Sequence, residues 1–397
     1  MLHGYLWWRL VRSTTRPGRA RRWGTAAVVL LALLPAAAVV VGRDAVTPAA
    51  TALDWIGFTW LGLAFYTALT LLVLEPVRLV LRRWARGEVR EPAPDRGTAP
   101  GSGPVREDRG VADRGVADPS RRLLLARGLA VTAGAVALGT AGTGMVLANS
   151  APVVRRVPVT LAGLDPALSG LRVVTFSDAH LSTTFRGRRF ERLVETVNAQ
   201  RPDVVAVVGD LVDGELAELR EEVAPLADLV SEHGVFFVTG NHEYFVDTAA
   251  WLAHLPTLGV RVLRNERVPI GRGGATLDLA GIDDRTAAGS GVAGHGADLD
   301  AALDGRDDAV PVVLLAHQPV QVQQARAAGV GLQLSGHTHG GQLWPFDYAI
   351  RLDQPAVEGL HRFGDTQLYV TSGAGFWGPP MRVGARPEVT VVELRAP

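Results

Sequence analysis

Five short apolar runs, each closing on a polar residue able to bind a metal, constrain this chain more than any bulk property does. They are LRVVTFSD (171–178), DVVAVVGD (203–210), GVFFVTGN (234–241), VPVVLLAH (310–317) and GLQLSGH (331–337). Runs of this length and β-branched content predict buried strands. Helical patterns lie between them, which predicts an α/β domain. In open α/β sheets, ligands collect beyond the carboxyl ends of the strands. The polar ends are Asp178 with His180, Asp210, Asn241 with His242, His317, and His337 with His339, and they are expected to converge on one site. His337 and His339 stand two residues apart in SGHTHGG, a spacing that turns both rings to one face of an extended segment. Singly, each residue has an ordinary alternative, an N-capping Asp or a histidine satisfied in the core. Eight of them in order at strand ends do not share one.

The donors are nitrogen and oxygen only. The sequence has no cysteine, which excludes disulfides, thiolate metal sites and cysteine nucleophiles. Imidazole, carboxylate and amide ligands suit Zn, Mn or Fe, and their number suits two divalent ions rather than one. Net charge is zero, so no global field favours nucleic acid or another polyanion. All 40 basic residues are arginine, a bias better read as genome composition than as function.

The N-terminal part is of another kind. Trp23–Gly42 and Trp55–Leu74 are uncharged windows of the length that crosses the roughly 30 Å of bilayer hydrocarbon as helix, and Gly128–Ala148 is a third, milder one. Arginines crowd before the first window (Arg9 to Arg22) and after the second (Arg78 to Arg90), while the loop between holds only Arg43. That asymmetry predicts cytoplasmic basic flanks. Arg121 and Arg122 precede the third window and resemble a twin-arginine export signal placed internally; a plain third spanning helix is the alternative. Either reading puts the C-terminal domain outside the cytoplasmic membrane. The aromatic N-terminus MLHGYLWWRLV reads as an interfacial helix or the tail of a further span. The expected organisation is a membrane region at 1–84, a disordered cytoplasmic linker at 85–120 that includes RGVADRGVAD, a third helix or signal at 121–150, and a catalytic domain at 151–397.

The blocks DAH, GDLVDG, GNHE, the H of LAHQP, and GHTH resemble the five-block signature of calcineurin-like metallophosphoesterases, over roughly residues 157–395. GNHEYF, SGHTHGGQLWP and TSGAGFWGPPMRVGARPEVTVVEL are similar to a membrane-associated bacterial branch of that family. The resemblance implies an α/β sandwich of two mixed sheets flanked by helices, here preceded by an all-α transmembrane region, with a two-metal centre at one edge. It implies that Asp178, His180 and His339 hold one ion, that Asn241, His317 and His337 hold the other, and that Asp210 bridges them. His242, a non-ligand, would hydrogen-bond a phosphoryl oxygen or protonate the leaving group. The implied activity is hydrolysis of phosphate esters, diesters before monoesters, by direct attack of a metal-bridging hydroxide; lipid-linked or cell-envelope esters fit the tether. The competing class is a catalytically silent envelope sensor or scaffold that binds a phosphorylated ligand. Asp213 is a candidate partner for a ligand. Asp283, Asp284, Trp344 and Trp377 are weaker candidates near the site, and His295 reads as a solvated or mobile loop residue.

Overall fold

The computed structural model describes residues 1–44, 47–85 and 119–397. Nearly all of the expected linker, including RGVADRGVAD, lies outside the described residues. Contacts divide the chain into two units, residues 1–32 with 63–139, and residues 33–62 with 140–397.

Three long helices, Arg19–Asp44, Pro48–Val73 and Pro119–Ala148, occupy the three apolar windows. Within them Arg19–Val40, Pro48–Val73 and Arg121–Ala148 are long and apolar enough to cross a membrane, with mean hydropathies of 2.2, 1.8 and 1.6. Pro35 sits inside the first helix, tolerated because neighbours can satisfy the freed carbonyl. In the first unit, residues 2–12 are helical. Arg9 there pairs with Glu75, and Trp7 Nε1–H donates to Thr25 Oγ1 at 2.9 Å.

Among the described residues the second unit carries twelve strands: β1 (Val153–Thr160), β2 (Arg172–Phe176), β3 (Val204–Val208), β4 (Val235–Val238), β5 (Val260–Val262), β6 (Glu266–Arg272), β7 (Ala275–Gly281), β8 (Val312–Leu315), β9 (Leu332–Ser335), β10 (Gly359–Phe363), β11 (Thr366–Val370) and β12 (Glu388–Arg395). They form two six-stranded sheets, ordered β1-β12-β2-β3-β4-β5 and β10-β11-β9-β8-β7-β6. Both are mixed. β2 to β5 run parallel with β12 antiparallel to β2, and β7, β8, β9 and β11 run parallel with β6 and β10 antiparallel at the edges.

Alternation along each strand makes the sandwich. Val204, Ala206 and Val208 of β3 face the layer between the sheets, where they meet Val313 and Leu315 of β8 and Leu332 and Leu334 of β9. Val205 and Val207 face the other way, onto helix Arg188–Asn198, which presents Phe190, Leu193, Val194 and Val197 at helical spacing. Strands buried on both faces read as continuous apolar runs rather than alternating ones. Each large apolar side chain removed from water here contributes on the order of 2 kcal/mol. The predicted architecture, two mixed sheets flanked by helices and preceded by apolar helices, is the one observed.

Candidate metal centre

Every strand-end residue singled out above lies just past the carboxyl end of β2, β3, β4, β8 or β9. Two sheets therefore deliver their ligands to one edge. Asp178, His180 and His339 have donor atoms within 4.8 Å of one another, as do Asp210, His317 and His337, and Asp210 shares a third group with His180 and His242. Asp210 Oδ2 lies 3.2 Å from His317 Nε2, 3.8 Å from His180 Nε2 and 4.0 Å from His242 Nε2. His339 Nε2 lies 3.4 Å from Asp178 Oδ1.

The backbone is bent to bring them in. Among the described residues eight non-glycine positions have positive φ, and five are Asp178, His180, Asp210, His337 and His339, at 48–71°. Each costs on the order of 1–3 kcal/mol and persists only where its surroundings over-determine it. The surroundings do so here. Asp178 N–H donates to Gly209 O, His180 N–H to Asp210 O, and His337 N–H to the Asp178 carboxylate at 3.0 Å. Gly240 lets two of these loops touch, since a Cβ there would stand 2.5 Å from the Asp210 nitrogen.

Tautomers follow from the partners. Asp213 Oδ1 accepts from His180 Nδ1–H at 2.8 Å and from His242 Nδ1–H at 2.7 Å, and His317 Nδ1–H donates to Val208 O at 2.8 Å. Each ring therefore presents its Nε2 to the centre. His317 Nε2 and Asn241 Oδ1 are buried with no hydrogen-bond partner, and His317 Nε2 lies 3.2 Å from Asp210 Oδ2. Orphaned buried donors of this kind, beside carboxylates and with no sulfur, fit divalent cations of the Zn, Mn or Fe type.

The electrostatics divide the donors: burial lowers the His317 imidazole but Asp210 beside it raises it by more, well above its ordinary value, so a cation at its Nε2 would displace a proton. Burial and the His317 ring push the His337 imidazole down to about 4, and burial, His180 and Arg382 hold His339 well below its usual value, so both are neutral and ligand-competent. Burial opposes ionisation of Asp213, but the two imidazoles it holds outweigh that and keep it far below the carboxylate range. His242 is raised to about 9: burial lowers it, but Asp210 and Asp213 raise it by more.

Two supporting residues had no role in the sequence reading. Glu243, the last letter of GNHE, is buried and accepts N–H bonds from Gly240, Asp210 and Leu211 at 2.6, 3.0 and 2.8 Å; burial and the Asp210 charge push it up to about 7. Its motif position was the available signal. Arg382 is wholly buried, and its guanidinium donates to the carbonyls of Gly375 (2.7 Å), Ser372 (2.7 Å) and His339 (3.1 Å) while lying 3.3 Å from His339 Nδ1. A lone charge inside GPPMRVGA was its only sequence mark. Arg382→Met leaves those carbonyls unpaired; we expect about 3 kcal/mol lost stability and weaker metal binding through His339, with Arg382→Lys intermediate because one ammonium cannot span the fork. Thermal denaturation of metal-free and metal-loaded protein, with a metal titration, checks this.

The weaker candidates divide. Asp283 is buried in a bidentate pair with Arg264 (2.8 and 3.0 Å), and Asp284 accepts from Thr286 and Gln318, so both are held by structural partners. His295 is not solvated as expected: its side chain is 8% exposed and its Nδ1 bonds Tyr244 Oη at 3.1 Å, because the glycine loop folds back onto Tyr244. Trp377 packs edge-on to His242, ring centroids 5.6 Å apart, and Trp344 is half exposed.

Comparison with known proteins agrees with this geometry. The calcineurin-like phosphoesterase family matches residues 171–341. The chain is 36% identical over 278 residues to an uncharacterized metallophosphoesterase of Helicobacter pylori, across 70% of this chain and 73% of that one. It belongs to the calcineurin-like metallophosphoesterase family. It is also 40% identical over 292 residues to a Bos taurus transmembrane protein with metallophosphoesterase domain, and 40% identical over 259 residues to a Danio rerio protein of the same description. These matches take in 71% and 64% of this chain but only 65% and 59% of those relatives, so the chain spans less than two thirds of their length. Animal membrane proteins and bacterial proteins both appear among its relatives, and the assignment stands at the level of the family. With its apolar helices, this metallophosphoesterase is a membrane protein with up to three candidate spans.

Proposed function

We propose that this metallophosphoesterase hydrolyses phosphodiesters, with Asp178, His180 and His339 holding one divalent cation, Asn241, His317 and His337 the other, and Asp210 shared between them. The observation that carries this reading is the pair of orphaned buried donors, His317 Nε2 and Asn241 Oδ1, beside Asp210 and within reach of a non-ligand histidine. Bound cations supply Lewis acidity, acidifying a water and neutralising charge that builds on the phosphoryl oxygens. The chain does the rest. Asp213 fixes both rings, so His180 Nε2 stays aimed at the cations while His242 Nε2 meets the substrate. His242 donates a hydrogen bond to a phosphoryl oxygen or a proton to the departing oxygen. Trp377 and Phe245 pack edge-on against its ring. A diester is favoured because Phe245, Phe376, Trp377 and Pro379 line the cavity beside His242, an apolar surface that suits a second ester group better than the second charge of a monoester.

Chelation tests this directly. Aryl phosphodiester hydrolysis by the full chain should fall to background with a chelator and return with Mn or Zn, and diesters should be turned over faster than the matching monoesters. Ligand binding without turnover by the metal-loaded protein would favour the sensor or scaffold instead.

We also propose the orientation and organisation expected from the arginines: a membrane region over 1–84, a third helix over 121–150 bearing the twin-arginine-like Arg121 and Arg122, and an extracytoplasmic catalytic domain over 151–397. A reporter active only in the cytoplasm, fused after Pro397, should be silent; strong signal overturns the orientation. Arg121→Lys with Arg122→Lys should retain the domain inside, and unchanged localisation would leave a plain anchor.

A further inference from the structure

The unit that holds the metal centre also contains residues 33–62, parts of two helices apolar enough to cross a membrane. They are fastened to the catalytic loops. Thr183 Oγ1 donates to Asp54, and the Arg189 guanidinium lies 5.3 Å over the Trp55 ring. Gly62 meets the loop after Trp377 so closely that a Cβ would stand 2.6 Å from Met381 Sδ. A carboxylate within an apolar span is costly and marks function unless it is only paired. Asp54 is buried, one oxygen taken by Thr183 and the other unpartnered.

Between these parts runs a cavity of about 260 Å³. Its lining joins His242 and Asp213 with Pro35, Val39, Asp54, Phe58 and Leu61, contributed by the two helices. Apart from Asp54, the residues that the two helices contribute to this lining are apolar. Phe245 and Trp377, each 56% exposed, flank His242. Large exposed aromatics beside a reactive group mark a surface that meets something other than water. Neither arginine nor lysine lines the cavity, and its one basic side chain, His242, sits beside the metal centre, so the extra phosphates of a nucleotide would go unpaired.

We propose that this cavity is a tail groove, and that the substrate is a membrane lipid whose phosphodiester reaches the metal centre beside His242 while its chain lies along Val39, Phe58, Leu61 and Trp377. The inference rests on the phosphodiesterase reading and names its substrate class. The continuity of the groove with span residues is what commits the occupant to a lipid already in the bilayer. In the reaction, the P–O bond to the leaving alcohol breaks and a P–O bond to a water oxygen forms. The bonding pair leaves on the alcohol oxygen, which takes a proton, and the other proton of water passes to solvent.

The test uses full-length, metal-loaded protein in nanodiscs and nitrophenyl alkyl phosphates differing only in the alkyl group, from ethyl to dodecyl. With the leaving group constant, kcat/KM should rise at least roughly thirtyfold along the series, a small part of what full burial of the added methylenes would give. Val39→Trp, at a position 46% exposed and so free to take a large ring, should cut the dodecyl-to-ethyl ratio at least tenfold. A second readout does not use turnover: dodecylphosphonate, and not ethylphosphonate, should raise the Tm of the parent and fail to do so for Val39→Trp. A flat chain-length series, or a ratio and Tm shift unchanged in Val39→Trp, overturns the groove. Failure to hydrolyse any ester, ethyl included, sinks the phosphodiesterase reading instead, and the phosphonate shifts then still decide whether the groove binds a chain.

Discussion

Asp210→Asn is expected to lose metal and activity together. Asp210 belongs to two of the three donor groups, and its Oδ2 is within 4.0 Å of the Nε2 atoms of His180, His242 and His317. No other carboxylate of the site stands between both clusters. Asn keeps the shape but removes the one negative charge that two cations would share, and its amide can turn an N–H toward them. Metal content should fall below that of the parent after identical loading, and kcat/KM by at least roughly 10³-fold. Because Asp210 Oδ1 also accepts the His242 N–H at 2.9 Å, the amide oxygen can retain that bond and the fold should survive. Circular dichroism with elemental analysis separates loss of metal from loss of structure. A fully loaded, active Asp210→Asn would remove Asp210 from the centre.

Much of this is legible in the sequence, and particular residues show why. The ligating blocks follow strands buried on both faces, so β3 (VVAVV) and β8 (VVLL) appear as uninterrupted apolar runs ending in Asp210 and His317. Edge strands carry no such mark. β10 (GLHRF) is half exposed and its sequence does not separate from loop, because hydrogen bonds to β11 rather than apolar burial define it. The positive φ values at five site residues were invisible because non-glycine side chains give no local sign of them; the strain comes from loops pinned to one another, as Asp178 N–H is to Gly209 O. Arg382 was hidden for a related reason, since its partners are backbone carbonyls, which every sequence has. The meeting of Val39 and Phe58 with His242 in one cavity is likewise tertiary: nothing at residues 35–61 announces a catalytic loop two hundred residues on.

His242→Ala should divide from Asp210→Asn in the opposite sense, keeping metal and losing turnover. His242 is held by Asp213 at 2.7 Å through Nδ1, and its side chain is 12% exposed at the rim, between Phe245 and Trp377. Removing it leaves the other donors of both clusters in place. The loss should fall on kcat by about 10² to 10⁴, the range of general acid catalysis. If the ring protonates the departing oxygen, the deficit shrinks for aryl diesters with good leaving groups; if it stabilises the phosphoryl oxygens, the deficit is constant across them. Asp213 supplies the internal check, because the same Oδ1 also orients His180 at 2.8 Å. Asp213→Ala should therefore lower turnover through His242 and weaken metal binding through His180. In the Asp213→Ala background the further cost of His242→Ala on kcat should be much smaller than in the parent, the non-additivity of two groups acting as one. Metal content and rates for the three variants on a graded set of aryl phosphodiesters decide it. A metal-free His242→Ala would make the histidine a ligand, and full additivity with Asp213→Ala would mean that the carboxylate does not act through it.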